Sequence, residues 1–135
     1  FGKKDYQQLM LIKLMVTDLG MPIEIVGVDT VREADGRPMS SRNKYLSAVE
    51  RETAARLYAG LCGLRDRLIK AGKTVAGIET DTLRELETAG FRPDYVNIRR
   101  AVDLGEPGPQ DRQLVILAAA WLGRTRLIDN VEVTV

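Results

Sequence analysis

Gln113-Leu-Val-Ile-Leu-Ala-Ala-Ala-Trp-Leu-Gly-Arg-Thr-Arg-Leu-Ile-Asp-Asn-Val-Glu-Val-Thr-Val135 is the stretch whose reading decides the architecture. Residues 113–121 are almost continuously apolar and of strand length, and residues 126–135 are rich in β-branched side chains. Both predict strands, with Gly123-Arg124 as a tight connection between them. Upstream, residues 95–100 read as a third strand, linked onward through Glu106-Pro-Gly-Pro109. Three strands in succession with short links predict an antiparallel meander.

Two helices precede this meander. Ser47 followed by Glu50 is a capping box, which starts a helix expected to run to about Ala71 and to stop at Gly72. Leu57, Leu61, Leu64 and Leu68 give it an apolar stripe. Gly60 and Gly63 inside it each cost about 1 kcal/mol relative to Ala, so a closely packed neighbour is expected at both. A second helix is predicted from Thr74 to Ala89, ended by Gly90. Residues 45–135 therefore read as an α+β domain, two helices packed on a three-stranded antiparallel sheet.

The first third has a different pattern. Leu9, Ile12, Val16 and Leu19 follow helical spacing over residues 4–19, while Met10, Leu11, Leu14 and Met15 fill further faces, so a largely buried helix is expected. Gly20 and Pro22 end it. Residues 23–28 are β-branched and predict a strand, followed by a polar loop over residues 29–44. Helix then strand with a short link is the order of an α/β unit with parallel strands. The chain thus divides near residue 44, with residues 1–44 as the tail of an α/β domain.

Composition narrows the function. Twenty basic and nineteen acidic residues leave a formal charge of +1, which argues against a nucleic-acid binder. Leu114 to Leu122 is too short to cross a membrane. A single cysteine and no histidine exclude an internal disulfide, a Ser-His-Asp triad and a His-rich zinc site built from this chain alone. A reducing, cytoplasmic setting is expected, no signal peptide is visible, and no metal-ligating set is predicted. The start at Phe1 without an initiator Met suggests a piece of a longer protein.

Two segments are candidates for chemistry. Phe1-Gly-Lys-Lys-Asp-Tyr-Gln-Gln8 places a glycine, two lysines and an aspartate at a helix start, where backbone N–H groups and the helix dipole favour an anion. Helix starts of this kind are common, and the residues alone favour a helix capped by Asp5 with solvated lysines. Val31-Arg-Glu-Ala-Asp-Gly-Arg-Pro-Met-Ser-Ser-Arg-Asn43 follows the predicted strand, where ligands of open α/β sheets bind. Its two hydroxyls and an arginine suit phosphate oxygens, and it reads equally as a solvated loop.

Together these segments resemble the pantothenate synthetase (pantoate–β-alanine ligase) family. Phe-Gly-x-Lys-Asp-Tyr-Gln-Gln-Leu is similar to one signature of that family, and the 31–43 segment with Tyr45-Leu46-Ser47 to a second. Gly123-Arg-Thr-Arg-Leu-Ile-Asp-Asn130 looks like the family's closing hairpin. The resemblance covers the whole chain and implies the C-terminal portion of such an enzyme: the end of a Rossmann-like nucleotidyltransferase domain over residues 1–44, then a small lid domain over 45–135. Met39-Ser40-Ser41-Arg42 is similar to the Lys-Met-Ser-Lys-Ser loop of the wider group. The implied reaction is condensation of pantoate with β-alanine through a pantoyl-adenylate, with ATP as substrate and Mg²⁺ entering with it.

By the same resemblance, Lys4 contacts the ATP phosphates, Gly2 and Asp5 hold the ribose side, and Val31 meets the adenine through its backbone. Met39, Ser40, Ser41 and Arg42 close over the triphosphate, and Gln8 binds pantoate. Lys4, Ser40, Ser41 and Arg42 form the expected catalytic set. Lys3, also assigned to ATP, stands where the family usually has glutamate. Cys62 is expected in the core. The fragment is expected to be inactive alone, and the complete enzyme to be a homodimer. The competing reading is a non-catalytic lid or dimerisation module.

Overall fold

The computed structural model describes residues 1–70 and 74–135. In chain order it forms α1 (Tyr6–Asp18), a 3-10 turn (Ser41–Tyr45), α2 (Ala48–Lys70), α3 (Val75–Ala89), β1 (Arg92–Arg100), β2 (Gln113–Leu122) and β3 (Thr125–Thr134). The expected end of α2 at Ala71 and Gly72 lies outside the described residues. Among those described, no helix is long and apolar enough to cross a membrane.

The sheet is the expected antiparallel meander, in the order β1-β2-β3. Leu122 pairs with Thr125, leaving only Gly123 and Arg124 to turn the chain. Gly123 has φ 60°, which a type II′ hairpin needs at its first central residue. A Cβ there would also lie 2.5 Å from Glu50 Oε2. Alternate residues of the strands, among them Ile98, Ile116, Ala118 and Val131, meet Leu57, Leu61 and Leu64 of α2 and Ile78 and Leu86 of α3 in one core. The opposite face of β2 is covered too, because Tyr6 of α1 packs on Val115 and Leu117. Burial on both faces explains why β2 reads as an unbroken apolar run rather than an alternation.

Local signals place the helices. The capping box forms as expected, with Ser47 N donating to Glu50 Oε1 at 3.0 Å and Glu50 N to Ser47 Oγ at 3.1 Å. Thr74 caps α3 by accepting from Gly77 N at 3.3 Å, and Gly90 ends it. Arg67 of α2 forks onto Glu85 at 2.8 and 3.1 Å and reaches Thr82 Oγ1 at 2.9 Å, so the two helices are joined by polar contacts as well as by leucines. Cys62 is half-buried against the core.

The structure corrects four expectations. Helix α1 is not largely buried: only Tyr6, Leu9 and Val16 are covered, while Leu11, Leu14 and Leu19 are 67%, 56% and 69% exposed. It meets the sheet near its start, through Tyr6 and Met10, while Leu9 faces Gly27, and its other apolar faces have no cover among the described residues. Residues 23–28 form no strand. They run beside the N-terminal residues through a single parallel bridge between Gly2 and Val28, because no further strand among the described residues continues the ladder. The polar loop is partly folded, with an antiparallel bridge between Arg32 and Pro38 followed by the 3-10 turn. Close packing at both α2 glycines is also not found. A Cβ on Gly60 would meet Leu86 at an ordinary 3.5 Å, and one on Gly63 would meet nothing within 4 Å.

Gly63 therefore carries a helix-propensity cost without a packing return. Gly63→Ala should raise unfolding stability by roughly 0.5–1 kcal/mol, read as a higher urea midpoint at unchanged m-value.

Candidate functional site

Strand β3 presents consecutive polar groups that fasten both motif segments. The Asp129 side chain is fully buried, and it accepts from Arg32 Nη1 at 2.7 Å and Nη2 at 2.9 Å. The Arg32 guanidinium also lies 3.7 Å from the centre of the Tyr58 ring and donates to Gly36 O at 3.0 Å. Gly36 has φ 92°, and a Cβ on it would come within 2.6 Å of the Tyr58 ring. Only glycine therefore fits the turn that brings Arg32 to Asp129. Next along β3, Asn130 Nδ2 donates to Lys3 O at 2.8 Å and Lys4 O at 2.9 Å. Glu132 follows, accepting from Lys3 Nζ at 3.0 Å and Tyr6 Oη at 3.2 Å.

These contacts hold the start of α1 and the 40–43 turn against β3 around a cleft of about 360 Å³. Gly2, Lys4, Asp5 and Gln8 line one side; Ser40, Ser41 and Arg42 line another; Arg126, Leu127 and Ile128 of β3 complete it. The cleft thus brings together most of the residues singled out from the sequence. Three lie apart from it. Lys3 turns into ion pairs with Asp29 at 2.8 Å and Glu132 at 3.0 Å. Val31 and Met39 are exposed, and neither lines the cleft. The hydrogen bonds from Lys3 to Asp29 and Glu132 hold its ammonium well above the usual lysine range.

Lys4 is half-buried, and no ion pair or hydrogen bond of its ammonium occurs among the described residues. Burial lowers its pKa from the ordinary value; Asp129 opposes that shift and Arg42 adds to it. A lysine in this state is stabilised when an anion enters beside it. Arg42 Nη1 donates to Arg126 O at 3.2 Å, and Ser40 Oγ accepts from Arg42 N at 3.2 Å, ordering the turn around the arginine. Asp5 Oδ1 accepts from Gln8 N at 3.3 Å, so Asp5 is the expected helix cap, while Lys4 is half-buried rather than a solvated lysine.

Sequence reasoning missed Arg32, Asp129, Asn130 and Arg126 as parts of the site. A signal existed for two of them. Asp129 and Asn130 are adjacent polar residues inside a strand, and alternation forces one of any such pair toward a buried face.

The geometry defines an α+β unit with a cleft whose lysine and arginines suit a phosphate-bearing ligand. The chain belongs to the pantoate–β-alanine ligase family, whose model it matches over residues 1–132. It is 53% identical to the pantothenate synthetase of Shewanella loihica over 98% of this chain and 46% of the relative. With that of Chromohalobacter salexigens it shares 52% identity over 99% of this chain and 47% of the relative. Its structure resembles the pantothenate synthetase of Thermus thermophilus with a TM-score of 0.88 at 40% identity, covering 100% of this chain and 49% of that one. It also resembles the pantoate–β-alanine ligase of Francisella tularensis, complexed with β-γ ATP and β-alanine, at a TM-score of 0.65 and 28% identity, over 96% of this chain and 41% of that one. The chain spans about half the length of the relatives it matches.

Removing one partner of a buried ion pair leaves the other uncompensated. Arg32→Ala should destabilise the chain by about 3 kcal/mol in urea unfolding, and Arg32→Met with Asp129→Leu should recover much of that loss.

Proposed function

We infer that the chain is the C-terminal portion of an enzyme that condenses pantoate with β-alanine, using ATP and passing through a pantoyl-adenylate. The observation that carries this reading is the cleft that gathers Gly2, Lys4, Asp5, Gln8, Ser40, Ser41 and Arg42. Residues 1–44 serve as the end of a Rossmann-like nucleotide domain and residues 45–135 as its lid. Pantoate carboxylate attacks the α-phosphorus of Mg-ATP and releases pyrophosphate; the β-alanine amine then attacks the acyl-adenylate and releases AMP. Lys4 and Arg42 neutralise phosphate charge, Ser40 and Ser41 hydrogen-bond phosphate oxygens, and Gln8 orients pantoate. Catalysis of this kind rests on positioning and on stabilising charge, and neither step requires a histidine or a cysteine of this chain.

The cleft is one side of a site. The apolar surface left open on α1 and on Ile23, Val26 and Val28 supports packing of the remainder of the enzyme there, and that remainder supplies the opposite wall. The gathered cationic and hydroxyl groups favour this reading over a lid without chemistry. Lys3 belongs in this scheme to the clamp with Asp29 and Glu132 rather than to the nucleotide. The complete enzyme is proposed to be a cytoplasmic homodimer.

Incubated alone with Mg-ATP, pantoate and β-alanine, the 135-residue chain should form no pantothenate. Joined to the preceding portion of the Shewanella loihica enzyme, it should form pantothenate and AMP. In that chimera Arg42→Ala and Lys4→Ala should each slow pantoyl-adenylate formation about 100-fold or more. Turnover by the chain alone would overturn the half-site reading, and an undiminished rate would remove the substituted residue from the site.

A further inference from the structure

Arg126 belongs to none of the motifs that point to phosphate, yet it lines the cleft beside Lys4 and Arg42 and also lines the neighbouring cavity that shares those two cations. Its Nε donates to Asp94 Oδ2 at 2.7 Å. The opposite side of that carboxylate accepts from Trp121 Nε1 at 3.2 Å. Asp94 sits at the one register shift between β1 and β2, where Pro93 pairs with Ala120 and Tyr95 with Ala119. A bulge of this kind leaves its extra residue free of the ladder and re-aims the side chain. Here the carboxylate is aimed at the edge of the Arg126 guanidinium. With Nε tied, the planar fork has a fixed orientation and keeps donors for the cleft.

Resting on the reading of the cleft as a triphosphate site, we propose that Arg126 is a third cationic phosphate contact, delivered by the sheet, and that Asp94 is its positioning residue. The sheet is then part of the binding surface rather than a passive cover, and the Arg42 guanidinium, held by the Arg126 carbonyl, is ordered by the same residue. Asp94 is held as the carboxylate by Arg126, with its pKa below the usual range, so the pair stays formed through neutral pH.

The test is calorimetric titration of the chain with inorganic tripolyphosphate. Arg126→Gln should weaken binding about 10-fold or more, the loss of a charge-assisted contact. Arg124→Gln, an exposed neighbour in the β2–β3 turn, should stay within about 2-fold. Asp94→Ala discriminates by sign. Removing a negative charge tightens anion binding if Asp94 acts only through charge, whereas loss of its positioning role weakens it about 3-fold and adds nothing once Arg126 is Gln. Should Arg126→Gln lose its fold by circular dichroism, Arg126→Lys carries the test, because it keeps the charge without the fork. Tripolyphosphate affinity unchanged in the Arg126 variant, equal loss in Arg124→Gln, tighter binding in Asp94→Ala, or no binding by the unaltered chain would each overturn the proposal. Tripolyphosphate binding that depends on Arg126, in a chimera that makes no pantothenate, would count against the ligase reading alone.

Discussion

The buried pair of Arg32 with Asp129 is the contact on which the arrangement of the site depends. Asp129 lies on β3 with its side chain fully enclosed, and a carboxylate there is tolerable only with a cation and hydrogen bonds to match it. Arg32 provides both through a two-pronged contact, and it reaches Asp129 because the chain reverses at Gly36 under the Tyr58 ring. That reversal fixes where residues 38–43 emerge, and so where Ser40, Ser41 and Arg42 stand. Asn130, one residue further along β3, fixes the backbone of Lys3 and Lys4 in the same way.

One strand therefore sets the distance between two segments some thirty residues apart in sequence. A Lys-Asp helix start and a Ser-Ser-Arg turn are each commonplace, and each reads as an ordinary cap or loop on its own. Held on one strand, they face a common space with Lys4 half-buried and short of counter-charge. The same arrangement separates the two neighbouring lysines. Lys3 is paired with Asp29 and Glu132, while the Lys4 ammonium has no ion pair among the described residues.

Apolar burial and polar anchoring contribute in different ways to this fold. Leucines of α2 and the alternate side chains of the sheet form a dry core, which stabilises through burial. The opposite face of the sheet bears Asn130 and Glu132 with a few apolar contacts from Tyr6, whereas Asp129, paired with Ala118, is a polar anchor set within the core face. A site assembled from hydrogen bonds and ion pairs is directional, so it fixes geometry more than it adds stability. The exposed apolar side of α1 contributes neither.

Patterns that act over one turn or one strand were legible in the sequence by itself. The Ser47–Glu50 capping box, the Thr74 start and Gly90 end of α3, and the three strands with their Gly123-Arg124 turn follow from local hydrogen bonding and alternation, and they stand within a few residues of expectation. Residues 23–28 misled because β-branched composition marks a segment fit for a sheet, while a strand also needs a neighbour to pair with. Helix α1 misled because apolar residues on several faces imply burial only when something covers those faces. The tertiary structure alone decided that Asp129 faces Arg32, that Asn130 holds the lysine backbone, and that Arg126 and Asp94 meet at a bulge. Each of these joins residues far apart in the chain, and a sequence states which side chains are present but not which of them the folded sheet brings within 3 Å.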